Sequence, residues 1–530
     1  MNTSVQTASP TPTAAEDIFP PGITRQRLEK EFLPPYIGET RWFGGKAKEP
    51  SRFTILSAPV LANARLLLVR VEYANAAADT YLVPLQVATG EQARTLREHH
   101  PKAIAAHLDG GEILFDAIHD EAFRSALFTL VLEGGSPAGV TEIVGVPGHV
   151  PSGVTNKLPS RVLSAEQSNS AIVYGDRAFL KLYRRIEEGV NPDAEILRFL
   201  SEHGFTQSPP FYGALEFCGE DGGRHVLALA VGMIPNEGDA WTFTLAELSK
   251  FYDRALAENF DAAPFAGLSH TDTSDLPSEV VNMVGKDFLS RVRQLGVRTG
   301  ELHLALGSDE NDPEFRPEDF SEKDRLALAS AISEEGKRVL GILAARRESL
   351  PAELHDPVAS LLEAAPRLSE AATRLASSAG LATAKTRTHG DYHLGQVLNT
   401  GDDFVILDFE GEPARTLAER RLKRSPLRDV AGMLRSFHYA AHSAASKSGA
   451  GHEKAAPLAE MWAAAASRAF LQAWLSTAKG AAFVPSDAAH LAQLLEAFLL
   501  EKALYEITYE LNNRPDWIGI PLRGILSLLH

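Results

Sequence analysis

The chain has 530 residues, of which 44% are hydrophobic and 23% are charged, the profile of a soluble globular protein with room for several domains. A net charge of −17 argues against nucleic-acid binding. The single cysteine, Cys218, excludes a disulfide framework and a cysteine-rich zinc site and is typical of a cytoplasmic protein. No apolar run approaches the ~18 residues of a membrane span, so no membrane association is predicted.

The N-terminal part reads as a tail followed by a mixed region. Residues 1–17 are polar, lack the basic and apolar parts of a signal peptide, and predict a disordered tail. Residues 18–145 mix strand-like and helix-like runs, and a Gly/Pro-rich stretch at 134–153 marks their end. The elements predicted here are strands at 66–73 and 80–87 and a helix followed by a strand within 117–132.

The middle region, residues 146–243, is predicted to be rich in β-strands. Three short strands are expected within 161–183, with a tight Gly175-Asp176 turn between the last two. A helix then begins near Asn191 and carries Glu195, and another strand is predicted at 226–231.

Residues 244–530 show the three- and four-residue apolar spacing of helices. A single β hairpin, formed by 395–399 and 404–408, interrupts them, and surface loops are predicted at 309–318 and 447–454. A β-rich part followed by a helical part predicts a bilobal α+β protein with a ligand cleft between its lobes.

The most specific motif is the run from Arg387 to Gln396 followed by Leu-Asp-Phe-Glu. Phosphoryl transfer needs an acceptor for the proton of the attacking hydroxyl and oxygen ligands for magnesium. Asp391 can accept the proton, while Gln396 offers a carbonyl oxygen and Asp408 a carboxylate. The alternative interpretation is a polar turn between two buried strands, with the acids acting as caps.

A second motif is the strand that carries Lys181, which alternation places on the face opposite Leu180 and Leu182. Such a lysine can reach nucleotide phosphates when Glu195 on the next helix pairs with it. A glycine-rich loop is absent, and Ser168, within 167–170, is a candidate phosphate donor in its place. The alternative for Lys181 is an exposed strand lysine without a ligand.

The third constellation lies on the helix predicted at 500–511. Leucine, alanine and isoleucine form one stripe, and Lys502, Tyr505, Glu506 and Tyr509 form the other. Aromatic planes beside charged and amide groups suit a sugar, because its faces are apolar and its rim is polar. The alternative is a helix packed under a neighbouring loop.

These motifs resemble the bacterial maltokinase family, within the aminoglycoside-phosphotransferase-like kinases. The resemblance is carried by the runs THGDYHLGQVL, ILDFEGEPAR and EKALYEITYELNNRPDW. It implies a protein-kinase-like bilobal fold with an extra N-terminal cap domain at 18–145, a β-rich nucleotide-binding subdomain at 146–243 and a mostly helical C-terminal lobe at 244–530. It also implies ATP-dependent phosphorylation of the anomeric hydroxyl of maltose with Mg²⁺, within trehalose-to-glycogen metabolism, and trehalose synthase as a candidate partner.

Carried onto this sequence, the resemblance implies a role for each matching position. Asp391 is the base, Gln396 and Asp408 are magnesium ligands, and Asp429 steadies the catalytic loop. The residues implied to contact the nucleotide are Lys181, Glu195, Ser168, Met233 and Ile234. The residues implied to contact the sugar are His393, Lys502, Tyr505 and Tyr509.

The sequence departs from the family pattern at two points, and two alternative functions remain open. Gly232 stands where the family has a glutamate-like hinge residue, so adenine contacts would use the backbone, and the chain is longer than a stand-alone maltokinase. A monosaccharide kinase such as glucosamine kinase is the nearest alternative. A nucleotide-binding pseudokinase that partners trehalose synthase is the second, although such proteins usually lose the base or the metal carboxylate.

Overall fold

The computed structural model describes residues 17–19, 22–163, 168–219, 222–378, 380–449 and 451–529. They form two compact units. The first unit holds the described residues up to Ser201 together with Pro209–Ile234, and the second holds Glu202–Ser208 and the described residues from Pro235 onward. Of the predicted tail, residues 1–16 lie outside the described part, and Asp17 begins a short strand. No described helix is both long and apolar enough to cross a membrane.

The first unit contains fifteen strands and five α-helices among its described residues. The strands are β1 Asp17–Phe19, β2 Ile23–Thr24, β3 Pro50–Ser57, β4 Val60–Leu61, β5 Ala64–Tyr73, β6 Asp79–Ala88, β7 Ile104–His107, β8 Ile113–Asp116, β9 Ile143–Pro147, β10 Ser160–Leu163, β11 Asn169–Tyr174, β12 Ala178–Tyr183, β13 Arg185–Ile186, β14 Phe211–Cys218 and β15 Arg224–Gly232. The helices are α1 Arg25–Arg27, α2 Leu33–Glu39, α3 Gly90–His99, α4 Glu121–Glu133 and α5 Pro192–Glu202.

An antiparallel seven-stranded sheet organises the N-terminal region. Its order is β3-β5-β6-β8-β7, with β4 added beside β5 and β13 beside β6. The predicted strands at 66–73 and 80–87 are confirmed within β5 and β6. The strand predicted at the end of 117–132 is wrong, because helix α4 continues to Glu133. Asp120 caps that helix by accepting from the Phe123 N–H at 2.8 Å, and its apolar residues fall at helical spacing.

A second antiparallel sheet has the order β10-β11-β12-β15-β14-β9. The strands predicted within 161–183 and at 226–231 are confirmed, as is the turn at Gly175 and Asp176. Strand β9 spans the predicted domain boundary at 145/146 and pairs with β14 in this sheet. Helix α4 packs against β9, and a Cβ atom at Gly145 would collide with the Leu130 carbonyl oxygen. Only glycine therefore permits this close approach.

A buried arginine joins the two sheets of the first unit. Arg184 is fully buried, donates to Asp116 Oδ2 at 2.7 Å and donates from Nε to Ser170 Oγ at 2.8 Å. Tyr36 donates to the same Asp116 carboxylate, and the Arg184 guanidinium lies 5.1 Å from the Trp42 ring centroid. Because a buried charge needs both a counter-charge and hydrogen bonds, this cluster fixes the seven-stranded sheet against β11.

The second unit is mainly helical. Its helices are α6 Ala240–Ala257, α7 Ser278–Val284, α8 Lys286–Leu306, α9 Glu322–Arg346, α10 His355–Glu363, α11 Ala365–Ser377, α12 Leu417–Arg420, α13 Leu427–Ala445, α14 His452–Thr477, α15 Ala488–Asn513 and α16 Gly519–Leu528. Its strands are β16 Glu318–Asp319, β17 Ala384–Lys385, β18 Val397–Asn399 and β19 Phe404–Ile406. The predicted hairpin is confirmed as β18 and β19.

Two expectations about this unit are wrong. A second small sheet exists, because β16 pairs with β17 across more than sixty residues of chain, a contact that local pattern does not reveal. The loop predicted at 447–454 ends inside helix α14, which begins at His452. An alanine-rich run favours helix wherever a neighbouring helix covers it, here α13 and α8.

Helices α8 and α14 pack closely because α8 presents two glycines to α14. A Cβ atom at Gly296 would meet the Phe470 carbonyl oxygen, and one at Gly300 would lie 2.8 Å from Thr477 Cβ. We expect Gly296→Ala to lower the free energy of unfolding by about 1–3 kcal/mol, because the steric clash outweighs the better helix propensity of alanine.

Gly341 in α9 is the matched control, since a Cβ atom there would meet nothing within 4 Å. Gly341→Ala should raise the free energy of unfolding by about 0.5–1 kcal/mol through propensity alone. Urea denaturation of both variants measures the difference. Equal effects of the two substitutions would contradict the packing argument.

Candidate active site

The β18–β19 hairpin brings together the two predicted magnesium ligands. Gln396 directly precedes β18, Asp408 lies just beyond β19, and Val397 pairs with Ile406. The Gln396 side-chain Nε2 donates to Asp408 Oδ2 over 2.8 Å, and the Leu407 N–H donates to the Gln396 carbonyl oxygen over 2.9 Å. The hairpin register therefore places an amide and a carboxylate side by side.

This pair has the donor chemistry that magnesium prefers. The bond to Asp408 uses the amide nitrogen of Gln396 and not its carbonyl oxygen, and an amide oxygen with a carboxylate suits a hard cation. The backbone of Asp408 is left-handed, with φ +62°. A non-glycine residue held in this region is strained, and such strain is concentrated at functional sites. The pair fits a magnesium ion, and its role as a metal site stays a prediction.

The loop that carries Asp391 is fixed to the hairpin by a buried histidine. His389 Nε2 donates to the Leu407 carbonyl oxygen at 2.8 Å, and its Nδ1 accepts from the Asp391 backbone N–H at 3.4 Å. His389 thereby contacts both the backbone of Asp391 and that of Leu407, the residue before Asp408. The predicted base and the predicted metal ligands therefore occupy the same part of the second unit.

Asp429 holds the loop that carries Asp391 by accepting hydrogen bonds from its backbone. Its carboxylate accepts from the backbone N–H groups of His389 and Gly390 at 2.7 and 3.0 Å. These bonds are compatible with the steadying role that the family resemblance implied for Asp429. His303 Nε2 also lies 3.1 Å from this carboxylate, and Trp474 Nε1 donates to His303 Nδ1 at 2.9 Å. His303 and Trp474 were missed by the sequence analysis, because each sits in a helix whose pattern reads as ordinary core.

Lys502 links the predicted base to a second carboxylate. Its Nζ lies 3.5 Å from Asp391 Oδ1 and 3.3 Å from Glu412 Oε1. Burial lowers the pKa of this lysine, but the charges of Asp391 and Glu412 outweigh burial and raise it to about 12. The ammonium group therefore stays charged beside Asp391.

Glu412, which the sequence analysis did not single out, is the hub of this cluster. Besides Lys502 it contacts Arg415 Nε at 2.6 Å and an Arg428 guanidinium nitrogen at 3.2 Å. Burial raises the pKa of Glu412, but the three cations, led by Lys502, lower it to about 2. The carboxylate is therefore ionised over the whole physiological range and holds Lys502 in place.

This depressed pKa predicts a specific pH dependence of stability. The pKa of Glu412 is about 2 in the folded chain against an ordinary value of 4.5, so its contribution of about 3 kcal/mol is present above pH 4.5 and is lost as the pH falls toward 2. We expect Glu412→Gln to destabilise the chain near neutral pH, and the deficit should shrink as the solution is acidified through this range.

Urea denaturation as a function of pH tests this expectation. Glu310→Gln, in an exposed turn of the same unit, is the control. Its free energy of unfolding should equal that of the parent chain at every pH. A deficit of Glu412→Gln that stays constant on acidification would show that the ion pairs do not depress the Glu412 pKa.

The predicted sugar-binding side chains share one face of α15. Lys502 Nζ lies 5.2 Å from the Tyr505 ring centroid, and the rings of Tyr505 and Tyr509 are stacked with centroids 6.3 Å apart. Tyr509 is 43% exposed, so this face is open to solvent. The expectation that Glu506 belongs to it is wrong, because Glu506 is buried and pairs with Arg435 at 2.8 Å.

His393, the remaining predicted sugar contact, is turned toward its own loop. Its Nδ1 accepts from the Gly395 N–H at 3.1 Å. Burial lowers the pKa of the imidazole, against an opposing effect of Asp391. A neutral ring therefore lies next to the predicted base, and its contact with a sugar stays a prediction.

In the first unit, Lys181 lies on β12 with Asp193 as a partner. Lys181 Nζ is 3.5 Å from Asp193 Oδ2, and Tyr183 donates to the same oxygen at 3.1 Å. Asp193 is buried in the first turn of α5, two residues before Glu195. The sequence analysis named only Glu195, whose pairing with Lys181 stays a prediction.

The other predicted nucleotide contacts also lie in the first unit. Ser168 is exposed just before β11, while the neighbouring Gln167 lies outside the described residues. The Met233 N–H donates to the Arg177 carbonyl oxygen at 3.0 Å, so this N–H group is already used within the first unit. Adenine contacts at Met233 and Ile234 stay predictions. Gly232 has no room for a side chain, because a Cβ atom would lie 2.6 Å from Pro210 Cγ. Packing therefore explains why no glutamate-like residue stands there.

Comparisons with known proteins agree with this architecture. Residues 36–120 match the family model of the maltokinase N-terminal cap domain. The glucosamine kinase of Streptacidiphilus jiangxiensis is 26% identical over 412 residues, which is 76% of this chain and 79% of that protein. The glucosamine kinase of Mycolicibacterium smegmatis is 24% identical over 372 residues, 70% of this chain and 79% of that protein.

Solved structures show the same fold. A glucosamine kinase in complex with glucosamine, ADP and inorganic phosphate superposes with a TM-score of 0.63 at 20% identity, covering 94% of this chain and 99% of that one. A second crystal form of glucosamine kinase gives a TM-score of 0.64 at 21% identity, covering 93% and 97%.

The cap-domain match and the shared fold agree with the aminoglycoside-phosphotransferase-like fold with an N-terminal cap that the motifs indicated. The resemblance to the maltokinase family is confirmed to that extent, and the comparisons support a sugar kinase of the maltokinase or glucosamine kinase type.

Proposed function

We propose that this protein is an ATP-dependent sugar kinase that phosphorylates the anomeric hydroxyl of maltose, giving maltose 1-phosphate and ADP. The observation that carries the proposal is the position of Lys502. It contacts Asp391 on one side and lies beside the Tyr505 ring on the other. A hydroxyl bound against the stacked tyrosines of α15 would therefore be next to a carboxylate that can accept its proton.

In this mechanism Asp391 accepts the hydroxyl proton as the oxygen attacks the γ-phosphoryl group of ATP. Lys502 keeps the Asp391 carboxylate oriented, since its ammonium is held by Glu412 as well. Asp429 and His389 fix the loop, so that positioning supplies much of the rate. Gln396 and Asp408 would hold Mg²⁺, which neutralises charge on the phosphates when bound.

The proposed nucleotide contacts belong to the first unit. Lys181 on β12, oriented by Asp193, would meet phosphate oxygens, and Ser168 would add a hydroxyl donor. Glu195 keeps its proposed role as a partner of Lys181. Backbone groups around Met233 and Ile234 would receive the adenine, and the Met233 N–H would have to exchange its present bond to the Arg177 carbonyl oxygen to take part.

Glucosamine kinase activity is the second candidate, because two relatives carry that name. An amine recognised by this site would need a carboxylate of its own. Near α15, Glu412 is shared by three cations, and Glu510 pairs with Arg514 at 2.8 Å. Two stacked tyrosines on an open face instead suit a ligand of two sugar rings, which favours the disaccharide.

Roles in trehalose-to-glycogen metabolism and as a partner of trehalose synthase remain proposals from the family resemblance. The pseudokinase alternative is disfavoured because such a protein would usually lack either the base or the metal carboxylate, whereas Asp391 and Asp408 are both present.

The test is phosphorylation of maltose, glucose, glucosamine and trehalose by the full chain with Mg²⁺ and ATP, scored by the phosphorylated product. We expect turnover of maltose. Tyr505→Ala should raise the KM for maltose about tenfold with little change in kcat, because one aromatic contact is lost. Phe265→Ala, at an aromatic residue elsewhere in the unit, is the control and should change neither constant.

Product from glucosamine but not from maltose would replace the proposed substrate by the second candidate. ATP binding without product from any sugar would favour the pseudokinase.

A further inference from the structure

A cavity of about 260 Å³ lies in the second unit among α9, α13 and α15. Its charged lining comprises Lys385, Arg415, Arg424, Arg428, Asp324 and Glu501. Four cations against two anions make this cavity basic, in a chain whose net charge is −17. Its volume is several times the ~30 Å³ that one water occupies in the liquid, so a small anion fits.

Most of these cations already have carboxylate partners. Lys385 Nζ lies 2.8 Å from Asp324, and Arg428 Nε lies 3.6 Å from Glu501. Arg415 and Arg428 also both contact Glu412. Pairing with carboxylates offsets the cost of burying these charges.

Arg424 is different from the other three. Its Nε is buried and, among the described residues, has no hydrogen-bond acceptor. Burial lowers the pKa of this guanidinium, and the neighbouring charges of Arg428 and Arg415 lower it further. A buried guanidinium donor without an acceptor is costly, and an acceptor with two or more negative oxygens would remove the cost.

We infer that this cavity binds a phosphate group, either free or as the monoester of a small sugar, with Arg424 as its principal contact. Three arginines line this one cavity, and guanidinium groups bind phosphate oxygens in bidentate fashion. The site is built from the second unit alone and includes neither Lys181 nor Asp391. It therefore goes beyond the proposed function and does not depend on it.

The cavity is connected to the candidate active site through shared side chains. Arg415 and Arg428 line the cavity and also hold Glu412, which in turn contacts Lys502. A phosphate bound at Arg424 would compete with Glu412 for these two arginines. Occupancy of the cavity is therefore expected to act on the group that orients Asp391.

Isothermal titration of the full chain with inorganic phosphate, and separately with glucose 6-phosphate, tests the inference. Saturating Mg²⁺ and a non-hydrolysable ATP analogue should be present, so that the proposed nucleotide-phosphate contacts are occupied. We expect one site per chain and an affinity at least about tenfold weaker in Arg424→Gln, the size expected for loss of a charge-assisted hydrogen bond. Arg424→Lys, which keeps the charge but loses the planar fork, should be intermediate.

Arg523→Gln is the matched control, because the Arg523 Nε is also buried without an acceptor in the described part of the chain, but Arg523 does not line the cavity. Its phosphate affinity should equal that of the parent chain. Tighter binding of the monoester would identify a phosphorylated sugar as the ligand, and equal binding would identify free phosphate. Absence of binding to the parent chain, or unchanged affinity in Arg424→Gln and Arg424→Lys, would overturn the inference.

Discussion

Asp391→Asn is expected to lower kcat for sugar phosphorylation by about 100- to 10,000-fold, the usual contribution of a positioned base. Asparagine has nearly the same shape but cannot accept the proton of the attacking hydroxyl. It also removes the charge that Lys502 faces at 3.5 Å. Binding of ATP should be nearly unchanged, because the proposed nucleotide contacts lie in the first unit.

Steady-state kinetics with the preferred sugar give kcat, and titration with an ATP analogue gives the affinity for the nucleotide. Asp402→Asn is the control, since Asp402 is exposed in the turn of the β18–β19 hairpin. This substitution should leave kcat unaltered. Turnover of the Asp391 variant at more than a tenth of the parent rate would remove Asp391 from the role of base.

Asp429→Ala is expected to lower the free energy of unfolding of the second unit by about 3–5 kcal/mol. Asp429 is 2% exposed and serves as acceptor for the N–H groups of His389 and Gly390 and for His303. Removing the carboxylate leaves these buried donors without their acceptor. The catalytic loop should loosen as well as the core.

Two measurements separate these effects. Urea denaturation reports the stability, and hydrogen exchange at the His389 and Gly390 amides reports the loop. Asp253→Ala, at an exposed helical aspartate of the same unit, should change the stability by less than about 0.5 kcal/mol. Unaltered exchange at the two loop amides would mean that Asp429 does not hold the loop.

Local pattern predicted the β18–β19 hairpin well, because its contacts are short in sequence. Gln396 and Asp408 are joined by a hairpin whose apolar strands and turn are visible in the sequence, and the structure places them 2.8 Å apart. Helix α15 was also visible from its periodicity, which put Lys502, Tyr505 and Tyr509 on one side. Glu506 was misplaced, because a charged residue reads as exposed until its partner, Arg435 on another helix, is known.

The residues that support the site could not be predicted in the same way. Glu412 was unremarkable in the sequence, since its importance comes from Lys502, Arg415 and Arg428. His303 lies 126 positions from Asp429 along the chain and carries no motif. Such contacts depend on which helices pack together, and the periodicity of apolar residues within one helix does not predict this.

The amino-acid sequence by itself predicted the order of β-rich and helical regions and, through its motifs and the family resemblance they carry, the class of chemistry and the candidate base, metal and sugar residues. Elements that span a few turns or one hairpin can be predicted in this way, because backbone geometry there dictates which side chains meet. Only the tertiary structure decided which charges are paired and which stay ionised, as at Glu412 and Asp429, and which buried donor finds no acceptor among the described residues, as at the Arg424 Nε. The physical reason is that burial and electrostatics depend on distances between segments far apart in the chain, and folding alone sets those distances.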